Sequence, residues 1–84
     1  MKQDIKKIKI LLSDGEDIDI IELGYTYQSQ NVGLIKTELK QLGTGEYGDL
    51  SRIFYIVYNT NEEIITEVSC LVVVKVDYLS NNPF

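Results

Sequence analysis

The residues whose types and spacing could do chemistry are few, and they fall in four groups. Gly43-Thr44-Gly45-Glu46-Tyr47-Gly48 matches the G-x-G-x-x-G pattern, whose glycines let backbone amides approach a pyrophosphate. That use requires a strand before the loop and a helix after it. Here beta-forming residues follow, and Glu46 and Asp49 would repel phosphate. Asp14, Glu16, Asp17, Asp19 and Glu22 form an acidic run, and hard cations take such oxygen ligands. The order Asp-Gly-Glu-Asp-Ile-Asp is not that of a calcium loop, so the run reads as a solvated turn and no metal site is expected.

Six tyrosines form the third group. A tyrosine presents a flat apolar ring with a hydrogen-bonding tip and loses little entropy when it is held, which suits contact surfaces. Tyr25 and Tyr27 are expected on one strand face, and Tyr47 in the glycine loop, so these three are candidate contacts, while Tyr55 and Tyr58 are expected to pack beside a sheet. The fourth group is nucleophilic. Cys70 is the only cysteine and lies in an apolar segment, where burial hides the sulfur; histidine is absent, so the serines lack their usual base. No catalytic residue, cofactor or metal is assigned, and the chain is expected not to be an enzyme.

With 84 residues, the chain is expected to form one domain over 1–84, with 79–84 a loose tail. Thirteen acidic residues against eight basic ones give a net charge of −5, which opposes attraction to nucleic acid and to anionic membranes. Neither is expected as a direct partner. Lysines interrupt the N-terminal apolar residues before they reach signal-peptide length, and no run approaches membrane-spanning length, so a soluble, cytoplasmic protein is expected.

The elements that must position these groups follow from periodicity. Ile8, Ile10 and Leu12 alternate as in a strand, and Asp14-Gly15 suits a tight primed turn into a return strand from Asp17. Ile18 and Ile20 keep one phase and Ile21, Leu23, Tyr25 and Tyr27 the other, which a bulge near Ile20 would explain. Asn31 can cap a short helix reaching Leu42, with Ile35, Leu39 and Leu42 at i, i+4 and i+7 and Gly43 as its stop. Residues 43–49 read as a loop. Ile53–Tyr58 is an unbroken strand, Asn59–Glu62 a turn, and the run from Ile64 through Val76 to Tyr78 a second arm too apolar for one wet face.

The expected fold is therefore α+β, a small antiparallel four-stranded sheet of two hairpins with one short helix in the order ββαββ. If residues 32–42 are instead extended, the alternative is an all-β five-stranded small barrel. One helix covers one sheet face, so the surplus apolar surface calls for a second copy, and a dimer is favoured. The expected function is a non-catalytic, self-associating, acidic binding protein that masks or bridges a protein partner. In general type it is similar to the inhibitor and accessory proteins of phages and mobile elements. Two alternatives stand beside it: an oligomer sequestering a nucleotide-like ligand through Gly43, Gly45, Gly48 and Arg52, the sole arginine, and a structural subunit of a larger assembly.

Overall fold

The computed structural model describes residues 4–45 and 48–79. Seven strands build it: β1 (Ile5–Leu11), β2 (Ile18–Glu22), β3 (Thr26–Tyr27), β4 (Gln30–Gly45), β5 (Gly48–Asn59), β6 (Ile64–Ser69) and β7 (Val73–Tyr78). A single 3₁₀ turn, Cys70–Val72, joins the last two. One antiparallel sheet has the order β2-β1-β7 and the other the order β3-β4-β5-β6. The expected α+β fold is thus overturned, and the barrel alternative with it: 31–42 is extended, and the two sheets do not close on each other as a barrel.

Two irregularities interrupt β4. Gly33 is an extra residue in β4 between the pairs Val32–Asn59 and Leu34–Tyr58, so the facing of the strand resets there. Val32 and Ile35, three residues apart, consequently point to the same side and are both buried. A Cβ on Gly33 would lie 2.8 Å from the Asn59 carbonyl oxygen and 3.0 Å from Thr60 Cα, so this position excludes any side chain. A second irregularity falls between Gln41 and Gly43, at Leu42. Ile35, Leu39 and Leu42 therefore carry helical spacing on a strand.

The first hairpin forms as expected, with a different turn. Gly15 N–H donates to the Leu12 carbonyl (2.9 Å) and Leu12 N–H to the Asp17 carbonyl (2.9 Å), and only Gly15 takes a positive φ, of 75°. Asp14 precedes that residue rather than sharing a primed two-residue turn with it. No bulge interrupts β2 near Ile20: its register with β1 is continuous from Ile18 to Glu22, with Ile21 opposite Ile8 in the core and Ile20 opposite Lys9 outside. The two phases are the two faces of one strand, with Ile18 and Ile20 outside and Ile21 inside, and at Gly24 (φ 86°) the chain leaves the first sheet for the second.

The apolar run after Ile64 is two strands in different sheets, not one arm. Ser69 Oγ accepts from Leu71 N–H (3.2 Å) and caps the 3₁₀ turn that carries the chain across, placing the half-buried Cys70 in that turn and not in a core strand. Cover for the second sheet is supplied by β1, β2 and β7. Ile5, Ile8, Ile10, Ile21, Val32, Ile35 and Val57 form one buried cluster drawn from both sheets, with Tyr27, Tyr55, Val68, Val73 and Val76 packed around it. Leu79 N–H donates to the Asp4 carbonyl (2.8 Å), and 80–84, most of the expected tail, lie outside the described residues. Among the described residues, no helix is long and apolar enough to cross a membrane.

The bulge gives the first test. Gly33→Ala must displace backbone at Asn59 and Thr60 and is expected to cost about 1–3 kcal/mol in urea unfolding, whereas Gly43→Ala, with nothing within 4 Å of its added Cβ, leaves the midpoint almost unchanged.

Candidate functional site

The β4–β5 ladder is continuous in pairing from Val32–Asn59 to Gly45–Gly48. At about 3.3 Å per residue the twelve residues of β5 span roughly 40 Å. Only the near end is covered. Val32, Ile35, Ile56 and Val57 are buried there, and β6 accompanies β5 no farther than Phe54. Beyond that point two strands run alone as an arm. Its apolar side chains face water: Leu39 is 68% exposed, Leu42 48%, Leu50 65% and Ile53 45%. Leu39 and Ile53 are directly paired on the face that continues from the core residues Ile35 and Val57.

The opposite face carries charge. Lys36, Glu38 and Lys40 alternate along β4 across from Ile56, Phe54 and Arg52. Lys40 reaches over the Phe54 ring, its Nζ 5.5 Å from the centroid, to an ion pair with Glu67 on β6, and this partner raises the pKa of its ammonium. Lys36 Nζ lies 6.0 Å from the Tyr58 centroid.

The outer edge of β4 is the third property of the arm. Asn59 directs its N–H to the Glu63 carbonyl (2.8 Å), and its carbonyl accepts from Glu62 N–H (3.1 Å), on the side away from β4. Backbone groups alternate in side along an antiparallel strand, and directly opposed residues share their hydrogen-bonding state. Val57, Tyr55, Ile53 and Ser51 thus point away from β4, and their partners Ile35, Thr37, Leu39 and Gln41 present N–H and C=O at the outer edge. β3 and the turn before it cover this edge only to Val32, whose N–H donates to the Tyr25 carbonyl (2.9 Å) and whose carbonyl accepts from Gly24 (3.0 Å).

The residues singled out from sequence are not brought together. Tyr25 is exposed on the turn beside Val32, while Tyr27 is half-buried against the core, with its hydroxyl donating to Asp19 Oδ2 at 3.4 Å; burial first, and Asp19 second, raises its pKa. The two do not share an exposed strand face. Gly43, Gly45 and Gly48 lie at the far end of the arm, roughly 40 Å along β4 from Val32. They belong to strands and not to the expected 43–49 loop, and Tyr47 and Glu46 lie outside the described residues. Arg52 pairs with Lys40 partway along the arm. Sequence reasoning missed Leu39, Leu42, Leu50 and Ile53 as surface residues, although Lys36, Glu38 and Lys40 alternating with Ile35, Thr37 and Leu39 is a period-two signal.

At the first hairpin, Asp14 Oδ1 accepts from the amides of Glu16 and Asp17, each at 2.9 Å, and no group of three or more metal-ligating side chains occurs among the described residues. No family model, curated protein or solved structure matches the chain.

The amides of Asp17 and Glu16 hold the Asp14 carboxyl down at about 2, and a hydrogen bond with Asp14 raises Asp17. Because the folded pKa of Asp14 lies below its unfolded value of about 3.9, its contribution to the hairpin is present above that value and is lost as pH falls through about 2. Carboxyl-detected NMR titration is expected to show Asp14 titrating near pH 2 and Asp17 well above it; coincident titrations would contradict the turn geometry.

Proposed function

We propose that the chain is a non-catalytic binding domain that self-associates, with the β4–β5 arm as its contact element. The observation that carries this reading is the exposure of Leu39, Leu42, Leu50 and Ile53 on a ribbon that leaves its supporting sheet. A two-stranded ribbon alone is marginal in water, and apolar side chains on it gain nothing until another surface covers them. A protein surface is the class of partner that fits, because the arm offers aliphatic side chains, a mixed row of lysine and glutamate, and free backbone groups. The acidic balance of the chain, −5, argues in the same direction by disfavouring phosphate backbones. Masking or bridging a second protein is the activity such an arm supports once two copies present it together.

Sedimentation velocity over a wide concentration series tests the reading. The wild-type chain is expected to shift from monomer to dimer, and Leu39→Ser to weaken that association about tenfold, since a buried side chain contributes about 1.5–3 kcal/mol and 1.4 kcal/mol is tenfold. Circular dichroism checks that the variant keeps its strands. A wild-type chain that stays monomeric throughout would overturn the proposal.

A further inference from the structure

Resting on that self-association, we infer that two copies join edge to edge through antiparallel pairing of β4 with the partner's β4, about a twofold axis at Thr37. The free edge selects the strand. It starts at Leu34, where the cover from β3 has ended, and stays regular to Gln41, before the irregularity at Leu42. A twofold axis at residue 37 pairs Leu34–Lys40 with itself and so stays within this interval.

The backbone fits that axis. Ile35, Thr37 and Leu39 present their N–H and C=O outward, so Thr37 facing the partner's Thr37, and Ile35 facing the partner's Leu39, become hydrogen-bonded pairs that exchange both bonds. Charge fits it as well. Lys36 comes opposite the partner's Glu38 and Glu38 opposite the partner's Lys36, giving two opposite-charge pairs on one face. On the other face, the exposed Leu39 lands beside the partner's buried Ile35, which extends the core across the joint. Lys40 keeps its ion pair with Glu67 and lays its stem beside the partner's Leu34.

Neighbouring axes fail on the same observations. An axis at Glu38 sets that carboxylate against its own copy and Lys36 against the partner's Lys40, and like charges directly opposite are destabilising. An axis at Leu39 would oppose Glu38 to Lys40, which Glu67 already holds, and would press Ile35 and Lys36 against the irregular stretch at Leu42–Gly43. The occupant of the edge is thereby a second copy of this chain in one register.

Charge reversal and its rescue test the inference on the full chain. Lys36→Glu alone and Glu38→Lys alone each place like charges at both symmetric pairs and are expected to raise the dimer dissociation constant about tenfold. The double variant K36E/E38K restores the complementarity and returns the constant to near the wild-type value. Lys36→Glu also removes the contact with Tyr58, so the rescue, and not the single loss, is the decisive readout. A second measurement does not depend on charge: in a Cys70→Ser chain, pyrene maleimide on Thr37→Cys is expected to give excimer emission on dimerisation, and on Ser51→Cys none. A dimer insensitive to both single reversals, a double variant no better than the worse single, or no excimer at position 37 would overturn this register while leaving the self-association reading intact. Absence of any wild-type dimer would remove both.

Discussion

A β-strand keeps its backbone groups out of unfavourable isolation only while something stands on each side of it, and β4 is sixteen residues long in a protein whose core reaches its first third. Everything else in the molecule is arranged around that mismatch. Two small sheets enclose a cluster of isoleucines and valines, and that cluster holds the base of the β4–β5 ladder by Val32, Ile35 and Val57. The rest of the ladder is supported by its own cross-strand bonds and by the lysine row above Phe54 and Tyr58. The arm is therefore positioned by the core without being buried in it, and its apolar side chains stay available.

Two crossings between the sheets make this possible. At Gly24 the positive φ turns the chain from β2 toward β3, and at Ser69–Val72 a capped 3₁₀ turn sends it back from β6 to β7. Each crossing commits one edge. β3 closes the near part of the β4 edge and stops, and β7 goes to pair with β1 in place of extending the second sheet. The Asn59 side chain ties the same region together, accepting from the amides of Asn61 and Glu63 and donating to Gln30 on β4.

Much of the strand content was legible in the sequence. The alternation at Ile8–Leu12 and the run Ile53–Tyr58 each mark the strand expected of them, and Asp14-Gly15 marks a hairpin, though not through a primed turn. What misled was phase. Ile35 and Leu39 share a strand face four residues apart, and the irregularity at Leu42 completes a spacing that looks helical, while Gly33, a glycine that closely approaches another backbone, looks in sequence like one that merely weakens a helix. The run through Leu71 and Val74 reads as one needing cover on both faces, yet those two side chains are exposed, because the run is split by a turn whose only sequence mark is Ser69. Tyrosine and glycine are the residue types whose chemistry marks a contact in sequence, whereas the apolar surface the arm leaves open is aliphatic. Sheet order, the property that sets which edge is free, depends on pairings distant in sequence and is not written in any local pattern.

The most direct test of an unpaired β4 edge that seeks its own copy is residue-resolved amide hydrogen exchange, followed by NMR at concentrations above and below the association midpoint. Within one chain, the amides of Lys36, Glu38 and Lys40 are bonded to β5 at every concentration, while those of Ile35, Thr37 and Leu39 face outward. Slow exchange at the three outward amides, appearing only in the associated sample, is the predicted result. Fast exchange there in a sample shown to be dimeric would contradict edge pairing.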